Sequence, residues 1–242
     1  MAMIKTQREI KLLKKSAKIT DSCIKIIKES LKEDITEIEM RRRIYRKIKS
    51  QGASLSFQTL VASGKRSAMI HPKPHATNKK INGIGFIDFG ASYKGYKTDV
   101  TVPFIKGKVS RREMKIVNST VKAYKIGVNS IKLGESCWLP FKKVNEYLKK
   151  NRFRMMHGLG HGLGKEVHEN PVIVIPKNIK KLKPKARRRW EKIKKMRFQK
   201  NMVFTIEPGI YVRSRYGCRL ENSFIMTAKG PKLLTHSKLI RI

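Results

Sequence analysis

Acidic side chains are what this sequence has least of: 17 Asp and Glu stand against 57 Lys and Arg, a formal net charge of +40 over 242 residues. Such an imbalance normally points to a polyanionic partner, and electrostatic binding to RNA or the ribosome is the expectation it raises. Lysine is spread over nearly every segment and accompanied by much Ile and Asn, a pattern that codon bias toward A and T also produces. The scarcity gives each acid weight, because the few that stand inside apolar strands are poor candidates for surface decoration. Cysteine is sparse as well. Cys23, Cys137 and Cys218 lie far apart with no CxxC, which excludes a disulfide framework and fits a reducing, cytoplasmic setting. No apolar run approaches the length of a membrane span, so no membrane partner is expected. The opening MAMIKTQREIKLLKK is charged throughout and has neither the apolar stretch nor the cleavage site of a secretory signal. With 40% hydrophobic residues, a chain of this length can bury one sizeable core, and residues 1–242 are expected to form a single domain.

Residues 6–31 carry Ile10, Leu13, Ala17, Thr20, Ile24, Ile27 and Leu31 at helical spacing. Thr36 and Glu39 have the spacing of a capping box that opens a second helix ending near Gly52. Apolar, β-rich stretches follow at 57–62 and 84–89, and Gly90 to Gly95 is expected to turn the chain into a strand over Val100–Phe104. The pattern then repeats. Residues 112–131 and 138–150 read as helices, and 203–206 and 219–226 as strands, so each half holds two helices and then a hairpin.

Each hairpin carries two isolated acids: Asp88 in GFIDFG and Asp99 in TDV, then Glu207 in VFTIEPG and Glu221 in RLEN. A lone acid beside a glycine is usually a turn cap. Four acids in two related hairpins are better read as a cluster, and burying unpaired carboxylates costs several kcal/mol each unless a cation compensates them. The segment HGLGHGLGKEVHE adds His157, His161 and His168 within a glycine-rich stretch that lets backbone approach a metal or substrate. His71 and His75 flank prolines just upstream of the Asp88 strand, and one of them is placed to reach the same cleft. Four carboxylates and an imidazole form an oxygen-rich set suited to two divalent ions, Mn²⁺ or Co²⁺ first, Fe²⁺ or Zn²⁺ also, and exceed the needs of one tetrahedral zinc. Paired ions of this kind activate water for hydrolysis. No serine or cysteine elbow and no P-loop competes with this reading.

Together VASGKRSAMIH, IDFGASYKGYKTDVT, HGLGHGLGKEVHENP, VFTIEPGIY and GCRLEN resemble the "pita-bread" metallopeptidases, the group of methionine aminopeptidases, Xaa-Pro aminopeptidases and prolidases. The resemblance implies an α+β fold in which two pseudo-symmetric helix-helix-hairpin halves surround a curved antiparallel sheet. It implies metal ligands at Asp88, Asp99, His161, Glu207 and Glu221, with Glu207 also the general base and acid. His168 matches the histidine that contacts the scissile carbonyl, His71 one that lines the substrate cleft, and His157 an additional histidine of the proline-specific branch. The implied activity is removal of the amino-terminal residue from peptides, by an Xaa-Pro aminopeptidase or dipeptidase or by an initiator-methionine aminopeptidase. A non-catalytic peptide-binding or RNA-associated member of the group is the remaining alternative. The separate amino-terminal domain of typical proline-specific members has no counterpart in these residues, and a basic insertion at about 176–200 is read as a surface excursion. From Lys185 to Phe198 that insertion has the spacing of a short amphipathic helix with Ala186, Trp190, Ile193 and Arg197 on one face.

Overall fold

The computed structural model describes residues 3–174 and 183–242; the part of the basic insertion that precedes residue 183 lies outside them. Helices α1 (Gln7–Ser30) and α2 (Glu37–Lys49) lead into strands β1 (Ser54–Leu55), β2 (Leu60–Ser63), β3 (Gly83–Phe89), β4 (Ala91–Tyr93), β5 (Tyr96–Lys97) and β6 (Val100–Lys106). The second half begins with α3 (Arg111–Asn129), α4 (Leu139–Lys150), β7 (Gly160–Gly162), β8 (Glu169–Ile173) and α5 (Pro184–Lys195). It closes with β9 (Val203–Ile206), β10 (Gly209–Val212), β11 (Tyr216–Arg219), β12 (Asn222–Thr227), β13 (Gly230–Leu233) and β14 (Ile240–Arg241). The expected repeat of two helices and a hairpin is therefore present in both halves. Capping boxes open α1, α2 and α3, through Thr6 with Glu9, Thr36 with Glu39 and Ser110 with Glu113. In each, hydroxyl and carboxylate satisfy backbone N–H groups that the first turn leaves without partners.

Two antiparallel sheets carry the site. One has the order β14-β6-β3-β2, in which only the β14–β6 pairing is parallel, and the other β13-β12-β9-β7-β8. They meet where Thr101 bridges Glu221 and where Ser223 Oγ donates to Asp99 O at 2.7 Å. Strand alternation decides what faces what. Ile87 and Phe89 of β3 and Val100, Val102 and Phe104 of β6 pack against α1 and α2, whereas Phe86, Asp88 and Thr101 turn to the opposite face. In the second half Phe204 and Ile206 pack with Ile116, Val117, Val144 and Leu148 of α3 and α4. Helix α1 spans both halves: Ile19, Cys23 and Ile27 join the first core, while Ile10, Leu13 and Ala17 pack with Leu163, Val203 and Ile225.

Three local expectations change. The turn over Gly90–Gly95 is a short hairpin of β4 and β5 that reverses at Lys94 and Gly95, both at positive φ, and Asp99 lies in the link ahead of β6, not on that strand. The stretch 57–62 becomes extended only from Leu60, after a bend at Ser56 and Phe57. Helix α5 does bury Trp190 and Ile193, but Ala186 and Arg197 are exposed and Phe198 enters the main core instead. The cause is the end of the helix at Lys195, beyond which extended backbone turns Arg197 outward and Phe198 inward.

One buried acid outside the site organises the first half. Glu37, fully buried at the start of α2, accepts hydrogen bonds from Ser63 N and Oγ, Arg66 Nε, and Thr77 N and Oγ1 at 2.8–3.1 Å. It thereby ties α2 to the end of β2 and to both ends of the loop that carries His71. Deleting its carboxylate strands one guanidinium and two backbone N–H groups. Glu37→Ala is expected to lower unfolding stability by about 3 kcal/mol and to speed amide exchange at Ser63 and Thr77, with Glu37→Gln intermediate. A loss below about 0.5 kcal/mol in denaturant unfolding would show that water replaces the carboxylate.

Candidate metal centre

Asp88 projects from β3 opposite Thr101, and Thr101 in turn faces Glu221 across the junction of the sheets. Glu207 directly follows β9, and His161 is the middle residue of β7. The five expected ligands thus come from five places in the chain and converge on one floor. His161 Nε2 lies 3.7 Å from Asp99 Oδ2 and 3.4 Å from Glu207 Oε1. Asp99, His161 and Glu221 each offer one ligand atom, and those atoms all lie within 4.8 Å of one another. Asp88 joins the group through charge, since its carboxylate raises the proton affinity of Asp99, Glu207 and Glu221.

The glycines around His161 have a different reason from the one expected. A Cβ on Gly160 would sit 2.0 Å from Thr205 O, and one on Gly162 2.0 Å from Asn170 O. These residues let β7 press between β8 and β9, so the close approach is to neighbouring strands and not to a ligand. His161 is consequently held at a fixed depth. Its Nδ1 lies 3.2 Å from Gly162 O, and donation there leaves Nε2, the atom facing the carboxylates, free to accept.

Electrostatics define what the floor lacks. Burial first, and neighbouring acids second, push Asp99 and Glu207 well above the ordinary carboxylate range; burial and the charge of Asp88 push Glu221 up to about 8. Burial brings His161 down to about 4, helped by His168 beside it at a ring separation of 4.3 Å, so the imidazole is neutral. Asp88 Oδ1, Asp99 Oδ1 and Glu221 Oε1 are buried without a hydrogen-bond partner. One basic group answers four acids. Arg219, 1% exposed, gives NH2 to Asp88 Oδ2 at 2.5 Å, Nε to Thr101 Oγ1 at 3.1 Å and NH1 to Tyr211 Oη at 2.8 Å. Thr101 passes the interaction on by donating to Glu221 Oε2 at 2.8 Å. A single guanidinium leaves three unit charges uncompensated if all four acids ionise, and partnerless carboxylate oxygens beside a neutral imidazole nitrogen form a donor set for divalent cations.

A cavity of about 610 Å³ opens above this floor and is lined by His71, His157, His161, His168, Glu166 and Glu207 among others. His71, His157 and His168 therefore all reach the cleft, as expected. His75 does not line it; its backbone carbonyl accepts from Val61 N under the loop. His157 Nδ1 bonds Gly158 O at 2.7 Å, so Nε2 accepts from Tyr211 Oη at 3.0 Å, and burial brings the ring down to about 4. His236 pairs with Asp21, away from the site. Arg219 and Tyr211 are the site residues the sequence reading missed. Arg219 ends β11 two residues before Glu221 and, fully buried, is as out of place there as the acids that drew attention.

These features define the class. The description "Metallopeptidase family M24" matches residues 11–228, and the chain belongs to that family, with its pita-bread fold. Among relatives, it is 34% identical to an uncharacterized peptidase of Methanocaldococcus jannaschii over 99% of this chain and 65% of the relative. It is 31% identical to an Xaa-Pro dipeptidase of Pyrococcus horikoshii over 98% of this chain and 64% of the relative. Two solved structures superpose closely. The prolidase of Pyrococcus horikoshii does so with a TM-score of 0.85 at 30% identity, covering 98% and 64% of the two chains, and an X-Pro aminopeptidase of Thermotoga maritima with 0.84 at 28% identity, covering 99% and 65%. The chain thus spans just under two thirds of the length of these relatives.

The raised proton affinities fix how the metal-free protein responds to pH. Between the ordinary value of 4.5 and the folded value of about 8, folded Glu221 holds a proton that the unfolded chain has released. Stability of the metal-free protein is therefore expected to fall as pH rises through that interval. Divalent ions displace the protons and reverse the penalty. Thermal unfolding with chelator and with Mn²⁺ or Co²⁺, from about pH 5 to about pH 8, should give diverging Tm curves; parallel curves would mean that the carboxylates do not bind the ions.

Proposed function

We propose that the protein is a dinuclear metallopeptidase that removes the amino-terminal residue from peptides, with Xaa-Pro bonds as its preferred substrates, acting in the cytoplasm. The observation that carries this is the floor of three buried carboxylates, the half-buried Glu207 and one neutral histidine beneath a cleft with three further histidines. Two divalent ions, Mn²⁺ or Co²⁺ foremost, held by Asp88, Asp99, His161, Glu207 and Glu221, would supply an acidified water and neutralise charge developing on the carbonyl.

The chain's own residues do the rest. Glu207, with a proton affinity raised by burial and by Glu221, is suited to take a proton from the attacking water and return it to the leaving nitrogen. His168, tilted against the ring of His161 and open to the cleft, donates to the scissile carbonyl as it becomes an oxyanion. His71, held neutral by burial and by Arg219 nearby, forms the facing wall. His157 is locked by Gly158 and Tyr211, so it offers a rigid wall to a ring such as proline without competing for protons. Arg219 and Thr101 orient Asp88 and Glu221 from behind.

The preference for Xaa-Pro over initiator Met rests on the position of His157 at the cleft and on relatives named Xaa-Pro dipeptidase. A cytoplasmic site of action agrees with three buried free cysteines, and no described helix is long and apolar enough to cross a membrane. Protein reconstituted with Mn²⁺ or Co²⁺ should cleave Ala-Pro-Ala in preference to Met-Ala-Ser; the reverse order would assign it to initiator-methionine removal.

Asp99→Ala and His161→Ala are each expected to abolish hydrolysis together with metal binding, read by turnover and by metal analysis of the same sample. In contrast, His168→Ala should retain its metals and lose about 10² to 10³ in kcat. An empty His168→Ala protein would make that residue a ligand instead.

A further inference from the structure

A second cavity, of about 980 Å³, adjoins the first and belongs to none of the machinery above. The two share a wall. Met69 faces the second cavity where Ile70 and His71 face the first, Met156 faces the second where His157 and Gly158 face the first, and Tyr211 of the second bonds the ring of His157. The second cavity thus lies just beyond the wall that His157 forms, where a peptide extending past that residue would arrive.

What lines the continuation is basic. Lys65, Arg152, Arg154 and Arg213 stand around apolar surface from Met69 and Met156, and no acidic residue lines the cavity. All four cations are exposed, and none forms an ion pair with any described carboxylate. The acids at the opposite end of the cleft are already paired, Glu169 with Lys5 and Glu166 with Lys97. Register in β7–β8 sets Gly162 against Glu169, whereas Gly160, toward His157, pairs with Ile173; Glu166 and Glu169 line the cleft at the former end. The side of the His157 wall away from the reacting groups is therefore the basic one. A free α-ammonium is repelled at the basic end, and carboxylate is attracted there.

We infer that the Lys65/Arg152/Arg154/Arg213 cavity is a substrate subsite for carboxylates downstream of the scissile bond, which makes this a peptidase selective for acidic continuations. The carboxylate is supplied either by Asp or Glu side chains or by the peptide's own carboxyl terminus. This inference rests on the proposed peptidase reading, because it needs a peptide in the cleft. Four exposed cations each contribute a modest, salt-sensitive attraction, and two contacts of that kind amount to about tenfold in affinity.

The test uses full-length, metal-loaded protein and four peptides: Ala-Pro-Glu-Glu and Ala-Pro-Gln-Gln, each as free acid and as amide. At low salt, kcat/KM for the Glu amide should exceed that for the Gln amide by about tenfold, mainly through KM, and the ratio should shrink at high salt. A free-acid effect within the Gln pair alone would assign the subsite to the carboxyl terminus. The triple variant R152Q/R154Q/R213Q should bring both ratios near one while leaving kcat on the Gln amide unchanged. The surface variant K25Q/K28Q, on the exposed side of α1, should leave the ratios intact. Ratios near one in the unmodified protein, or an equal fall in both variants, would overturn the subsite and leave diffuse charge as the cause. Binding of the same four peptides with a reduced scissile bond, measured by calorimetry, separates the two readings. Charge-selective binding that is lost in the triple variant, without turnover of any peptide, would retain the subsite and remove the catalytic reading. Turnover without charge selection would do the reverse.

Discussion

Everything at the centre of this molecule follows from four carboxylates, three of them buried, gathered on and beside strands that leave them one guanidinium between them among the described residues. The junction between the two sheets makes this arrangement rigid. Thr101 belongs to the first sheet by backbone pairing with Asp88 and to the second through its bridge to Glu221, and its hydroxyl sits between Arg219 and Glu221. A residue that served only one sheet would let the halves shift and spread the acids. With both anchored, neither the burial of the acids nor their mutual repulsion can relax by movement, so both appear as raised proton affinity at Asp99, Glu207 and Glu221. The fold stores a demand for cations at the seam of its halves.

The same seam explains why the backbone is so tightly drawn there. Gly160 and Gly162 flank His161 with no room for a side chain, and Gly90 meets Thr98 O in the corresponding place of the first half. Pressing strands this closely fixes the depth of the imidazole, and the short link between β5 and β6 carries Asp99 beside it. Loops then supply the groups whose work depends on facing substrate. His71 rides on a segment whose two ends are fastened to the buried Glu37, and His157 and His168 flank the β7 strand at either side. The division is between a floor made by sheet geometry and walls made by fastened loops.

Much of this was legible in the sequence because the acids break a pattern. In GFIDFG and VFTIEPG an ionisable group interrupts an apolar run, and alternation alone then places Asp88 on the face away from Ile87 and Phe89. The Thr36 and Glu39 capping box was equally plain; those at Thr6 and Ser110 carry the same spacing and went unread. Arg219 escaped for a different reason. In a chain so rich in Lys and Arg, one more basic residue carries little signal, although its place two residues before Glu221 should have marked it. Tyr211 gave no such sign, since an aromatic residue in a strand is ordinary, and only the contact of its hydroxyl with both Arg219 and His157 gives it a role. The short β4–β5 hairpin was hidden because Gly90 and Gly95 look alike as turn residues. Gly95 turns the chain at positive φ, whereas Gly90 is there to avoid Thr98 O. Distinguishing the two requires the neighbouring strand.

The overall charge of +40 and the anionic floor pull in opposite directions, and distance decides between them. A divalent ion approaching the protein meets a positive exterior, which slows its arrival. Exposed charges are screened over about 8 to 10 Å at ordinary ionic strength, while buried charges at contact distance are screened much less. In the proposed site the ion's final affinity would therefore be set by Asp88, Asp99, His161, Glu207 and Glu221, and hardly by the lysines outside. For a peptide the balance differs, because a chain of several residues extends from the floor to the exterior. In the proposed reaction its reacting bond would be governed by the anionic floor and the histidines, and its far end by exposed cations. The two regimes meet at the wall of His157 and Tyr211, where one ring faces the reacting bond and the other faces the basic cavity.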